Sequence, residues 1–150
     1  MGDMNFTGTN AVSIAVSILP LYPAGAVGHF ANGSDVWTGE AVETADMEKT
    51  PDGYAYAWTK NAIIQRTLTL APASPVAKIL DAAISAQQTR IGIGAEPFTV
   101  TVIVTHKHSG QVDTYVNGAL TSGEVGMKVQ QDRLGNKQYT FKFSEIVIKY

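Results

Sequence analysis

Apolar side chains at every second position run through most of this chain, and that period decides its fold class. Val12, Ile14, Val16 and Ile18 alternate with Ala11, Ser13, Ala15 and Ser17. A repeat of two is the geometry of a β-strand, whose successive side chains point to opposite faces. The alternation returns in Tyr54-Tyr56-Trp58, in Ile64 to Leu70 and in Phe98 to Thr105. It returns again in Tyr139-Phe141-Phe143, which Ile146 and Ile148 extend, and Gln111 to Leu120 is a further strand-like run. Lys60-Asn61-Ala62 predicts a hairpin turn between the strands on either side of it. Leu134-Gly135-Asn136-Lys137 predicts a second turn, and Val125, Met127 and Val129 a short strand before it.

One segment follows another period. Val76, Ile79, Leu80, Ala83 and Ile84 fall on one face of a helix, with Lys78, Asp81, Ser85 and Gln88 elsewhere. The Ser74 hydroxyl can cap free N–H groups, and Pro75 suits the first turn. A helix of roughly 20 Å is therefore expected over about 75–88. The fold class is mainly β, a β-sandwich or barrel-like, with one flanking α-helix. The chain has 150 residues, enough for one domain with a sizeable core and too few for two.

Residues 31–53 fit neither period. They carry Asn32-Gly33, Gly39, Pro51 and Asp52-Gly53, and they form a long excursion with at most a short strand of its own. Structureless loops beyond about 12–15 residues are uncommon in compact domains unless they have a job. Charge points to that job. Residues 1–48 hold six acidic groups and no Lys or Arg, while the remainder holds all 11 basic groups against seven acidic ones. The excursion is accordingly expected to dock on Lys or Arg of a neighbouring copy through Asp35, Glu40, Glu43, Asp46 and Glu48. Val36, Trp37 and Val42 would supply the apolar contact.

Chemistry is sparse. With no cysteine there is no disulfide framework, thiol catalysis or cysteine-bound metal. His106 and His108 share one side of a strand end, and His29 would have to complete a metal site; a polar hairpin tip is the plainer account. No Gly-x-Ser-x-Gly elbow or Walker lysine loop occurs, and Gly92-x-Gly94 follows a helix where a dinucleotide site would open one. The acidic residues lack the rhythm of a calcium loop. Tyr54, Tyr56 and Trp58 could stack on bases but are expected to be buried, since few cations surround them. No catalytic site, cofactor or metal is expected. Ala11 to Leu19 is too short for the ~20 residues of a membrane helix, and no cation precedes it as in a signal peptide. The chain is expected to be soluble, with no membrane anchor.

The order of these pieces resembles the small structural proteins of contractile phage tails, of the tail-tube type. The likeness spans about residues 10–148. It rests on Pro23-Ala24-Gly25 after the first strand, and on Asp52-Gly53 leading into Trp58-Thr59-Lys60-Asn61. Leu68-Thr69-Leu70 entering the Ser74-Pro75 helix, Val116-Asn117-Gly118, and the closing Lys137-Gln138-Tyr139-Thr140-Phe141-Lys142-Phe143 complete it. The resemblance implies a virion structural protein, made in the bacterial cytoplasm, that forms stacked hexameric rings of a tail tube. Its partners would be itself, the sheath and other tail proteins, and DNA passing without specific binding. The alternative is a monomeric β-sandwich module that binds carbohydrate or protein through 31–53, with Trp37 as the sugar-stacking candidate.

Overall fold

In the first strand, β1 (Val12–Leu19), the alternation sends Ile14, Val16 and Ile18 to one side, and all three are buried. The computed structural model describes residues 12–19, 22–27, 36–72, 74–89 and 98–150. After β1 come β2 (Tyr22–Val27), β3 (Trp37–Thr38), β4 (Ala45–Lys49), β5 (Ala55–Thr59) and β6 (Ile64–Leu70). Helix α1 (Pro75–Thr89) follows, then β7 (Thr99–His106), β8 (Val112–Gly123) and β9 (Lys137–Lys149). Seven strands form one antiparallel sheet in the order β2-β1-β7-β8-β9-β6-β3, curled into a half-barrel. Strands β4 and β5 form a separate two-stranded ribbon.

The fold is thus mainly β with one flanking helix, as the periods imply. The core lies between the inner face of the sheet and α1. Ile14 faces Val104, Val16 faces Val102 and Ile18 faces Val100 across β1 and β7. Tyr139, Phe141 and Phe143 of β9 and Leu68 and Leu70 of β6 join them, fully buried. The helix contributes Val76, Ala77, Leu80 and Ala83, while Ile79 and Ile84 are half-buried. Each large side chain so placed contributes about 1.5–3 kcal/mol. Two bonds from Gln87 fasten the end of the helix: its Nε2 donates to Leu120 O at 3.2 Å, and its Oε1 accepts from Phe98 N at 3.1 Å.

A corner shapes the half-barrel. On β8 the inward residues are Tyr115 and then Leu120, and on β9 Phe143 and then Ile146, so both strands switch parity together. Their register stays the same from Gly118↔Phe143 to Val112↔Lys149, so the two bend as a pair. Asn117 takes a left-handed backbone there (φ 53°), which Asn tolerates better than most residues. A Cβ on Gly118 would lie 2.2 Å from Phe143, so the ring closes the corner over a bare backbone.

Three local expectations are corrected. The hairpin around Lys60-Asn61-Ala62 does not form: β5 pairs with β4, and β6 pairs with β9 and β3. Leu68 and Leu70 must reach the core, and pairing with β9 takes them there. The second turn lies at Gln131-Asp132-Arg133, closed by Val129↔Leu134 and by Gln130 N donating to Arg133 O at 2.8 Å. Lys137 already opens β9. Val125, Met127 and Val129 form no strand; they are exposed, and Val129 alone makes a bridge.

Candidate functional site: an exposed β-ribbon

Residues 45–53 of the long excursion form the first strand and the tip of the ribbon, which β5 completes. Thr50 to Tyr54 make its tip, where Thr50 N donates to Tyr54 O at 2.8 Å and Gly53 N to Thr50 O at 3.0 Å. Gly53 sits at φ +94°, a conformation that glycine adopts without a Cβ penalty. Lys60 ties the base, its Nζ lying 3.1 Å from Asp46 Oδ2 and 3.2 Å from Glu43 Oε1. Lys60's hydrogen bond holds the Asp46 carboxyl below its ordinary range, with help from the Met47 N–H. The bonds to Asp46 and Glu43 in turn raise the Lys60 ammonium.

Trp37 roots the ribbon in the core. Its ring packs edge-on to Tyr115 at 5.4 Å and against Phe141 at 6.0 Å and Phe143 at 6.3 Å. Its buried indole N–H has no hydrogen-bond acceptor among the described residues. Arg66 supports the root, donating to Gln65 O at 2.8 Å and Glu40 O at 3.2 Å while its guanidinium lies over the Tyr115 ring.

Directly opposed residues of an antiparallel pair share a face. Asp46↔Trp58 and Glu48↔Tyr56 therefore place acids among aromatics, with Tyr54 in line, while Met47↔Ala57 and Lys49↔Ala55 occupy the reverse face. Every residue of β5 is exposed, and in β4 only Asp46 is half-covered. Met47 is 69% exposed, Tyr54 66%, Tyr56 60% and Trp58 44%. The aromatic run is thus not buried. Among the described residues its strand has one neighbour and no second layer over it.

Of the residues expected at the interface, Glu40, Val42, Glu43, Asp46 and Glu48 lie on the ribbon or its approach. Val36 and Trp37 pack on the chain's own core instead, and Asp35 lies outside the described residues. Met47, Tyr54, Tyr56 and Trp58 were not expected in this surface. The sequence carries an acidic run followed by an aromatic one, and only the structure pairs them. His106 and His108 stand 6.4 Å apart between ring centroids, with Ser109 Oγ 2.6 Å from His106 Nδ1; His29 lies outside the described residues. Among the described residues no three His, Asp or Glu could hold a metal ion.

The sequence matches the family described as tail fiber protein gp32 over residues 3–147. The chain belongs to the tail fiber protein gp32 family. Membership makes this gp32-family chain a structural protein of a phage-type tail. No curated protein matches it. Its fold is similar to a chain of the anti-feeding prophage tube-terminating cap, at TM-score 0.57 and 12% identity, covering 99% of this chain and 94% of that one. It is similar to a chain of the sheath/tube terminator of the PVC extracellular contractile injection system, at TM-score 0.56 and 11% identity, covering 99% of each. A chain of the anti-feeding prophage baseplate gives 0.56 at 8% identity, covering 99% of this chain and 97% of that one. Among the described residues of the gp32-family chain, no helix is long and apolar enough to cross a membrane.

Proposed function

We propose that the chain is a non-catalytic wall subunit that assembles with itself into stacked hexameric rings of a tail tube. In the virion it meets the sheath and other tail proteins, and DNA passes through it without specific binding. The observation that carries this is the uncovered ribbon. A two-stranded ribbon alone is marginal in water, and one bearing Tyr54, Tyr56 and Trp58 gains by seating on another surface. A repeating assembly supplies that surface from a second copy.

The face of the large sheet turned from the core suits a conduit. Ser13 stands opposite Thr105, Ser17 opposite Thr101, and Thr67 opposite Thr140. Hydroxyls without a dense array of cations give passing phosphates little to hold. A second reading, a single ring that closes the tube, is favoured by the two similar folds described as a tube-terminating cap and a sheath/tube terminator. The monomeric carbohydrate module loses its candidate aromatic, because Trp37 packs inside.

Light scattering with negative-stain electron microscopy of the purified chain separates these. Stacked rings are expected for the tube, and isolated rings for the terminator. A monomer at every concentration and salt contradicts both.

A further inference from the structure

We propose that the ribbon of one copy seats on the surface that α1 and residues 124–136 build on the next copy. This rests on the self-assembly proposed above and names the two surfaces that meet. Both are apolar and uncovered. On the receiving side Met127 is 81% exposed and Val129 74%, and Leu134 is exposed beside them. Between this loop and the helix lies an open cavity of about 190 Å³, lined by Ala77, Lys78, Met127, Leu134 and Lys137, among others. A side chain from outside can enter it.

Charge selects the occupant. Residues 39–60 carry Glu40, Glu43, Asp46, Glu48 and Asp52 against Lys49 and Lys60. Lys60 is engaged by Glu43 and Asp46, which leaves Glu48, beside Tyr56, with no ion pair among the described residues. On the receiving surface Asp81 takes Lys137, and Glu124 takes Lys128. Lys78, Arg133 and Asp132 have no ion pair among the described residues. An aromatic ribbon of net charge −3 thus faces an apolar socket whose four bases, Lys78, Lys128, Arg133 and Lys137, exceed its three acids, Asp81, Glu124 and Asp132, by one. Because the two surfaces differ, each copy offers both, and the contact propagates head to tail into a ring or a stack.

The absence of cysteine makes the test clean. Tyr56→Cys and Met127→Cys chains, mixed and mildly oxidised, should yield a disulfide-linked pair that neither variant yields alone. Val147→Cys, on another exposed patch, is the comparison. Assembly without the Tyr56–Met127 link, or equal linkage to Val147→Cys, overturns this docking and leaves self-assembly standing. A parent chain that stays monomeric overturns both. As an independent arm, Lys78→Glu with Arg133→Glu should raise the concentration needed for assembly about tenfold, and adding Glu48→Lys should restore it. Unchanged assembly in the charge-reversed chain also overturns the docking.

Discussion

The Tyr139 hydroxyl donates to Asp81 Oδ1 across 2.6 Å and lies 3.2 Å from the Ala77 carbonyl, pinning β9 to the middle of α1. Burial, and then the Asp81 carboxylate, push the phenol well above its ordinary value of 10.0. Below pH 10 folded and unfolded chains both keep that proton. Above it the unfolded chain releases the proton and the folded chain does not, so stability falls as pH rises. Urea melts at pH 7 and 10.5 should show the loss. Tyr139→Phe should lower stability at pH 7 by about 1–3 kcal/mol and flatten the alkaline fall.

Asp81 also binds the Lys137 ammonium, whose side chain is 7% exposed. Asp81→Ala strands that buried cation, so it should cost more than Tyr139→Phe, on the order of 3–5 kcal/mol. Chemical denaturation of the two variants side by side checks the order. Equal losses would mean that Lys137 finds water on its own.

Leu80 is fully buried on the same helix. Leu80→Ala should cost about 2–5 kcal/mol, and Leu80→Asp should prevent folding. Lys78→Ala, on the exposed side, should melt like the parent. Thermal melts followed by circular dichroism settle both.

How much of this was legible in the sequence depends on whether the signal was local. The period of Val12 to Ile18 and the Ser74-Pro75 start of the helix belong to one segment each, and both elements formed as expected. Pairing is not local. Nothing in Tyr54-Tyr56-Trp58 says that its partner is β4, and alternation looks the same whether or not a layer covers it. Trp37 erred the other way, since its acidic neighbours implied exposure while Tyr115 and Phe143, far along the chain, make its pocket. The acidic run itself was readable: Asp46 and Glu48 lie on the ribbon, and Glu40 and Glu43 on its approach.

Gly118 offers a check on the corner. Gly118→Val puts methyl groups where Phe143 now lies, so it should cost about 1–3 kcal/mol through overpacking. The loss should shrink when Phe143→Leu is combined with it, which a double-mutant cycle measures.

The ribbon is the centre of the account, and removing it is the direct test. A short Gly-Ser linker in place of residues 45–59 leaves the large sheet, Trp37 and the helix in place. Sedimentation velocity of this variant beside the parent should show a folded monomer where the parent forms rings or stacks. Assembly of the ribbon-less chain at the parent's concentration would contradict the claim that the ribbon joins one copy to the next.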